Sequence, residues 1–245
     1  MLAYGGLGME GLADPLGAVR AIAALDRELA GHGFTVSLST DFAAFTAVRS
    51  RLRGGAPVAP LFDPAASALP SGKGFWMKLA GPGGCTRGLQ AFRADFAEPS
   101  LADWALGWMI GIYLKRSELI IPAAVAQVDN SVAKRISGVV VYHGELWIEP
   151  TCRRQSLMEP FSRMGVLLSY LRWRPTAVWA LSSEAMALRG QMTRMGYGYM
   201  ERGFMRWRFL PENADASEWL SIADRTSLEQ LIGEMVLTRS GCPQG

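Results

Sequence analysis

The feature that most constrains this chain is the abrupt change of pattern between Glu145 and Met158. An extended run ends at Pro150, a short polar and basic turn follows, and a helical pattern begins at once. The first turn of a helix has backbone N–H groups without intrahelical partners, so this order of elements creates a place where an anion can bind. Arg153 and Arg154 suit phosphate oxygens, and cations are disfavoured at a helix start unless they share an anion. The sequence therefore predicts a phosphate cradle in this turn, with a solvated loop surface as the weaker alternative.

Composition and charge exclude several classes of protein. The 245 residues are 49% hydrophobic and carry a net charge of +3, with no basic stripe, so nucleic acid is not an expected partner. Three cysteines (Cys85, Cys152 and Cys242) without a C-x-x-C pair, together with two histidines, predict neither a disulfide scaffold nor a metal site. No signal-peptide pattern is visible, and the most apolar window, residues 104–114, is too short to span a bilayer. We therefore expect a cytoplasmic protein without a membrane span.

Apolar periodicity and turn residues predict an α/β chain with helices at both ends. Asp14-Pro15 is typical of a helix start, and the glycines of residues 81–84, between two extended runs, are typical of a hairpin. We divide the chain into an N-terminal helical lead (1–33), an α/β domain (34–210) and a C-terminal helical tail (211–245). The predicted strands of the domain are 34–39, 74–80, 86–96, 139–148, 177–181 and 203–209. The predicted helices are 42–52, one that starts near 156–158 and one from Ser182 or Ser183 to Met195, with tail helices around Trp219 and at 227–237.

Residues 98–135 interrupt this order as an insertion. Ser100 is expected to cap a helix that continues through Leu114, and its apolar residues leave hardly any polar face. Such a helix is buried in the core, covered by a second subunit of a homodimer, or placed around an acyl or aromatic ligand. Core packing is the simplest of the three, and the sequence leaves the other two open.

Three blocks of residues, in this order of elements, resemble the GNAT superfamily of acyl-CoA-dependent N-acyltransferases. Residues 148–153 (I-E-P-T-C-R) resemble the family's strand end V-x-P-x-x-R, and residues 153–158 (R-R-Q-S-L-M) fall on its R/Q-x-x-G-x-G/A pyrophosphate loop. Residues 183–188 (S-E-A-M-A-L), followed by 194–197 (R-M-G-Y), resemble its N-x-x-A…L-G-F block. The resemblance implies a central mixed, mostly antiparallel sheet flanked by helices, with extra helices at both ends and a helical insertion.

The resemblance also implies the ligands and the reaction. The donor is acetyl-CoA or another acyl-CoA, no metal takes part, and the acyl group passes to the primary amine of a small molecule, peptide or protein by direct attack in a ternary complex. The backbone N–H groups of residues 146–148 would form an oxyanion hole. The residues expected to bind the donor are Leu146, Trp147, Ile148, Arg153, Arg154, Gln155, Ser156, Leu157, Met158 and Ser183.

Two departures from the family pattern bear on catalysis. Ser156 and Met158 stand where the family has glycines, which allow close approach and unusual backbone angles. Met192 stands where the family often has a tyrosine that protonates the leaving thiolate, and methionine has no proton to donate. The alternative to an enzyme is therefore an acyl-CoA-binding or protein-interaction module that has the fold without turnover.

The candidate bases lie on the extended run. Glu145 and Glu149 are on the same side of the predicted strand as Trp147, and a carboxylate beside the donor can take a proton from the amine. Glu145 lies next to a suspected bulge at Gly144, so catalysis and a structural role are equally open for it. For Glu149 an ion pair, for example with Arg153 or Arg154, or a solvated strand position is favoured.

The candidates for proton transfer elsewhere are a histidine and two tyrosines. His143 belongs to the residue type whose pKa lies near neutrality, although a lone histidine beside a glycine turn is more often exposed or structural. Tyr199 is the preferred acid for the leaving thiolate, because Tyr197 replaces a family phenylalanine and is expected to pack in the core. Glu145, His143 and Tyr199 are therefore the predicted catalytic residues.

Overall fold

In the described part of the chain, one mixed sheet of eight strands carries helices on both faces. The computed structural model describes residues 14–105, 107, 122–125, 131–207 and 217–240. The helices are α1 (Pro15–Gly31), α2 (Phe42–Leu52), α3 (residues 101–105), α4 (Met158–Trp173), α5 (Glu184–Leu188), α6 (Gln191–Arg194) and α7 (Arg225–Ser240). The strands are β1 (Thr35–Ser39), β2 (Gly74–Ala80), β3 (Thr86–Ala97), β4 (Pro122–Val125), β5 (Gly138–Ile148), β6 (Ala177–Ser182), β7 (Tyr199–Trp207) and β8 (Ser217–Asp224).

The strand order across the sheet is β1-β2-β3-β5-β6-β8-β7-β4. All neighbouring strands are antiparallel except β5 and β6, which run parallel because α4 carries the chain back between them. The predicted mixed, mostly antiparallel sheet flanked by helices is thereby confirmed.

Local signals set several of the predicted boundaries. The Asp14 carboxylate accepts a hydrogen bond from the Gly17 N–H at 2.7 Å, and Asp41 caps α2 in the same way through the Ala44 N–H at 2.9 Å. Strands β2 and β3 pair as a hairpin across the glycine-rich turn. Helix α4 begins at Met158 with Pro160 in its first turn, the one place in a helix where the missing N–H of proline has no cost.

The sheet separates two hydrophobic cores. The first core lies under α1, α4 and α7, and the second lies under α2 and α3. Consecutive residues of β5 alternate between them, since Val141 belongs to the first core and its neighbours Val140 and Tyr142 to the second. Strand β6 is apolar and buried on both faces, in keeping with its central place in the sheet.

The helix predicted around Trp219 is wrong, because this part of the tail forms strand β8 between β6 and β7. The four consecutive residues 220–223 are all buried, with Leu220 and Ile222 in the second core and Ala223 in the first. A strand covered on both faces loses the alternation that identifies strands, so its pattern resembles that of a buried helix. The tail therefore completes the sheet before α7 begins.

Three further elements differ from the predictions in detail. The helix predicted from Ser182 or Ser183 to Met195 is two short helices, α5 and α6, because Gly190 between them has a left-handed backbone (φ 67°). The buried side of α1 combines three alanines with two leucines, whereas Leu16 and Val19 are exposed; these five buried residues are Ala18, Ala21, Ala24, Leu25 and Leu29. Helix α1 packs on α4 and α7, so the predicted lead belongs to the first core.

The insertion is described in part. Ser100 caps α3 through the Asp103 N–H at 3.2 Å, as predicted, and Leu101, Ala102 and Ala105 are buried in the second core. Strand β4 lies at the sheet edge beside β7. Most of the apolar run that follows Trp104 lies outside the described residues.

The approach of α4 to β3 leaves no room for a side chain at Gly165. A Cβ there would overlap the ring of Phe92 and lie 2.8 Å from Gln90 Nε2. We expect Gly165→Ala to lower the free energy of unfolding by about 1–3 kcal/mol in urea denaturation. The matched control is Gly233→Ala on α7, where a Cβ meets nothing within 4 Å and alanine should stabilise the helix by about 1 kcal/mol. Equal effects of the two substitutions would contradict the close packing of α4.

Candidate functional site

The candidate site lies where the two parallel strands separate. Strands β5 and β6 pair through three residues of each, ending at Tyr142 and Trp179. Beyond Tyr142, β5 continues to Ile148 paired with β3, while β6 continues paired with β8. The edge of β5 that faces β6 is therefore without a strand partner over residues 143–148 of the described chain. We call this space the opening.

A bulge in β5 lies beside the opening. Leu89 pairs with Trp147 and Ala91 with Gly144, so two residues of β5, Glu145 and Leu146, lie opposite one residue of β3. Glu145 has a left-handed backbone (φ 54°), which is uncommon for a residue with a Cβ. The sequence predicted a bulge at residues 143–144, and the structure has it one residue later.

The turn between β5 and α4 is open to solvent. Residues 150–155 form a short 3-10 helix, Ser156 has a left-handed backbone (φ 56°), and α4 starts at Met158. No side chain caps the start of α4 at Leu157, and Pro160 has no N–H, so the N–H groups of Met158 and Glu159 are the ones left for an external acceptor in the first turn. Arg153, Arg154, Gln155 and Ser156 are all exposed around this helix end. We call residues 150–158 the cradle.

Side chains that point inward from the cradle anchor it to the first core. Cys152 and Leu157 are buried there, and Met158 packs partly buried against the same core. Arg153 Nε donates a hydrogen bond of 3.4 Å to the carbonyl oxygen of Ile148, which draws its side chain toward the end of β5. Contacts with the first core thus hold the inner side of the cradle in place, while its outer side is open to solvent.

Ser156 adopts the backbone conformation that glycine adopts most readily. The resemblance places a family glycine at this position, and a left-handed backbone costs a residue with a Cβ roughly 1–2 kcal/mol. Ser156 therefore holds, at a cost, a backbone conformation that glycine would adopt without this strain.

Glu149 forms an ion pair, although its partner differs from the predicted ones. Arg87 on β3 donates to its carboxylate, and Thr151 Oγ1 donates to the same oxygen at 3.0 Å. The hydrogen bond from Arg87 holds the pKa of the Glu149 carboxyl below its usual value. The same pair raises the pKa of Arg87. These contacts are all to Oε2, and through this oxygen Glu149 connects β3 to the cradle.

Both carboxylate oxygens of Glu145 are engaged on the second-core side of the sheet. Oε2 accepts from Arg49 Nε of α2 at 2.9 Å and lies 3.8 Å from Arg53 Nη1, and Oε1 accepts from the Ala59 N–H at 2.6 Å. The side chains of Arg49 and Glu145 are 3% and 5% exposed, so this is a buried ion pair. Arg49 also donates to the carbonyl oxygen of Ala56. Glu145 thereby fastens the bulge to α2 and to the loop behind it.

His143 and Tyr197 form a buried pair on the first-core side. Tyr197 Oη lies 2.7 Å from His143 Nδ1, and the imidazole stacks on Phe92 with ring centroids 4.4 Å apart. Burial lowers the pKa of His143 to about 3 and raises the pKa of Tyr197. His143 Nε2 is buried without a hydrogen-bond partner among the described residues. The sequence identified His143 and missed its partner, because only the fold brings residues 143 and 197 together.

The remaining predicted residues are less closely connected with the opening. Tyr199 starts β7 with 41% of its surface exposed. Ser183 is the N-cap of α5, and its hydroxyl accepts from the Met186 N–H at 3.2 Å. Met192 is buried in the first core, and its carbonyl oxygen accepts from the Tyr197 N–H at 3.1 Å. Of the two tyrosines, it is therefore Tyr197 that lies against a candidate catalytic group.

Two other kinds of site were searched for within the described ranges. No three His, Cys, Asp or Glu residues there are grouped so that they could hold a metal ion. No described helix combines the length and apolarity needed to cross a membrane.

The ion pair of Glu145 predicts a stability effect. Glu145→Gln leaves the buried guanidinium of Arg49 without its counter-charge, and we expect a loss of about 3–5 kcal/mol in the free energy of unfolding. The control is Glu149→Gln, which breaks the more exposed pair with Arg87 and should cost much less. Urea denaturation compares the two variants. Unchanged stability with lost turnover in Glu145→Gln would instead make Glu145 the catalytic base.

The burial of His143 predicts a loss of stability in acid. Below pH 6.5 an unfolded histidine binds a proton, whereas folded His143 stays neutral down to about pH 3, so folding becomes less favourable as the pH falls through this window. The contribution reaches about 4 kcal/mol at pH 3. His143→Gln should flatten the dependence of the urea midpoint on pH between 6.5 and 3. The matched histidine substitution is His32→Gln, at the exposed end of α1. Identical pH curves for wild type and His143→Gln would show that His143 titrates normally.

Sequence comparison finds no relatives, while structural comparison finds several proteins of similar fold. No protein-family model and no curated protein sequence matches the chain. FeeM, an N-acyl amino acid synthase from uncultured soil microbes, is 11% identical, with a TM-score of 0.46 over 85% of this chain and 98% of its own. NAA60 of Arabidopsis thaliana in complex with acetyl-CoA is 15% identical, with a TM-score of 0.44 over 77% and 97%. Aminoglycoside acetyltransferase AAC(6')-Ib, in complex with coenzyme A and kanamycin, is 12% identical, with a TM-score of 0.42 over 80% and 98%. The described sheet, mostly antiparallel with a parallel pair that separates beside a bulge, agrees with the sheet that the sequence resemblance led us to expect.

Proposed function

We propose that the protein is an N-acyltransferase that moves an acetyl or longer acyl group from an acyl-CoA to a primary amine. The observation that carries the proposal is the opening: β5 and β6 separate after three paired residues, directly above an uncapped helix start lined with arginines. A ligand with an anionic head and a narrow arm that carries amide groups fits this combination. Acyl-CoA has both parts.

The diphosphate of the donor is assigned to the cradle. The first N–H groups of α4 and the positive end of its dipole favour an anion. Arg153 and Arg154 are exposed beside it, as are Gln155 and the hydroxyl of Ser156. A guanidinium binds phosphate oxygens in a bidentate manner, so the two arginines supply the charge that the backbone lacks.

The arm of the donor is assigned to the opening. Beyond Tyr142 the edge of β5 that faces β6 is not paired with that strand, so the backbone groups of residues 143–148 that point to this edge can bond the amides of a bound pantetheine. An N–H in the bulge would stabilise the oxyanion of the tetrahedral intermediate. The amine attacks the thioester carbon in a ternary complex, and the C–S bond then breaks.

The contacts favour His143 over the other two predicted catalytic residues. Glu145 has both oxygens in a buried ion pair network, and Tyr199 is largely exposed at the start of β7. The proton of the attacking amine is therefore assigned to water rather than to Glu145.

The second candidate is a module that binds acyl-CoA without turnover. One observation favours it: the side chain at the position of the family's acid is Met192, which is buried and cannot donate a proton. The discriminating experiment combines calorimetry of CoA binding with release of free thiol from acetyl-CoA and longer acyl-CoAs in the presence of a panel of primary amines. The assay uses Cys85→Ser protein, because Cys85 is an exposed thiol that would react with the reagent.

Three outcomes are distinct. Thiol release that depends on an amine supports the enzyme. CoA binding without such release supports the module. Absence of CoA binding overturns both.

The cradle predicts a specific loss of affinity. Arg153→Ala and Arg154→Ala each remove a charge-assisted contact, and each should raise the Kd for CoA about tenfold in calorimetry. The loss should be the same for dephospho-CoA, which keeps the diphosphate and lacks the 3′-phosphate. Arg51→Ala, at an exposed position of α2 on the opposite face, is the control and should leave the Kd unchanged. A loss confined to CoA would move the arginine contacts from the diphosphate to the 3′-phosphate.

A further inference from the structure

The buried pair of His143 and Tyr197 has one polar atom without a function in the fold. The ring of His143 stacks on Phe92 with an angle of 12° between the planes, and its Nδ1 lies 2.7 Å from Tyr197 Oη. These two contacts together fix the orientation of the ring. His143 Nε2 is buried and has no hydrogen-bond partner in the described part of the chain. Leaving a buried polar group unpaired destabilises the folded state, and apolar packing at this position would avoid that cost.

The hydrogen bond to Tyr197 determines which nitrogen of His143 carries the proton. Burial lowers the pKa of His143 to about 3, so the ring is neutral near pH 7 and has one N–H. If the Tyr197 O–H donates to Nδ1, both atoms of that contact are satisfied and one donor, Nε2–H, is left over. The opposite tautomer leaves both the phenol proton and the Nε2 lone pair unpaired. The first arrangement leaves fewer buried polar groups without a hydrogen-bond partner, and it makes Nε2 a hydrogen-bond donor.

The residue that carries this donor is the first of β5 beyond its pairing with β6. Tyr142 is the last residue of β5 that pairs with β6, and His143 is the next residue along the strand. His143 lies on the side of the sheet covered by α4, since it stacks on Phe92 of the first core. Tyr197 reaches it from the turn that follows α6, where its N–H is held by the carbonyl of Met192. The pair therefore joins β5 to the segment that follows α6, the helix in which Met192 stands in place of an acid.

We propose that the Nε2–H of His143 donates a hydrogen bond to the thioester sulfur of the bound acyl donor and stabilises the thiolate as it leaves. This inference rests on the proposed acyl transfer. The C–N bond forms as the amine attacks, the C–S bond breaks with its electron pair going to sulfur, and the proton lost by the amine goes to water. The thiolate departs with the hydrogen bond from His143 and is protonated by solvent. His143 stays neutral throughout, and Tyr197 is a positioning residue that fixes its tautomer.

Histidine NMR tests the contact without knowledge of the acceptor. The chain has two histidines, so protein labelled with ¹⁵N-histidine gives two ring systems, and exposed His32 serves as the internal control. Addition of CoA, whose thiol occupies the position of the thioester sulfur, should shift the Nε2 and Hε2 signals of His143 and leave those of His32 in place. CoA binding measured by calorimetry with no change at His143 would overturn this inference and leave the proposed function intact. Absence of CoA binding would overturn both.

Two substitutions separate catalysis from packing. In His143→Asn the amide can replace Nδ1 toward Tyr197 but has no group at the position of Nε2, whereas His143→Gln carries an amide N–H near Nε2. We expect His143→Asn to lower kcat about 100-fold with little change in the KM for acetyl-CoA. His143→Gln should recover most of that loss. Equal kcat values for the two variants, or unchanged kcat in His143→Asn, would make His143 a core residue only. Urea denaturation of both variants confirms that each is folded.

Discussion

The single parallel pair of the sheet is the constraint on which the rest of the molecule depends. Strand β5 is bound to β3 along its length, while β6 leaves it after three residues to follow β8. Without that divergence the edge of β5 would be paired and the cradle would lie against a closed sheet. The bulge at Glu145 changes the register of β5 at the start of the divergence, so the strand keeps its pairing to β3 on one edge while its other edge is released.

Buried charge holds this geometry in place. The bulge puts Glu145 into a left-handed backbone, a conformation that a residue with a Cβ adopts at a cost. Its carboxylate is fixed by Arg49 and by the Ala59 N–H, which lie 96 and 86 residues away in sequence. Removing one partner of a buried ion pair strongly lowers the free energy of unfolding, because it leaves the other charge uncompensated. These contacts therefore favour the strained conformation of Glu145 over a relaxed strand. The residue that was predicted as a base thus has a structural reason to be where it is.

Features encoded by neighbouring residues could be predicted from the sequence, and those that depend on distant contacts could not. Asp14, Pro160 and the glycines at 81–84 act through their own backbone preferences, and the elements they define appear where expected. The turn after Pro150 was found for the same reason. Strand β8 was missed because burial on both faces removes the alternation that periodicity relies on. The pairing of Glu149 with Arg87 and of His143 with Tyr197 needed the sheet order, which no local pattern contains.

The sheet also divides the polar groups of the site by face, and this division limits the chemistry of each. Glu145 lies with α2 on the second-core side, and its charge is already balanced by buried arginine. His143 lies with α4 on the first-core side, neutral and with one nitrogen unpaired. A balanced carboxylate is a poor base because its protonation would leave Arg49 uncompensated, whereas a neutral imidazole with a free N–H can meet a developing negative charge without giving up its proton. The cradle lies at the start of α4, on the face that carries His143, so the group suited to a departing thiolate is on the side from which the donor would enter.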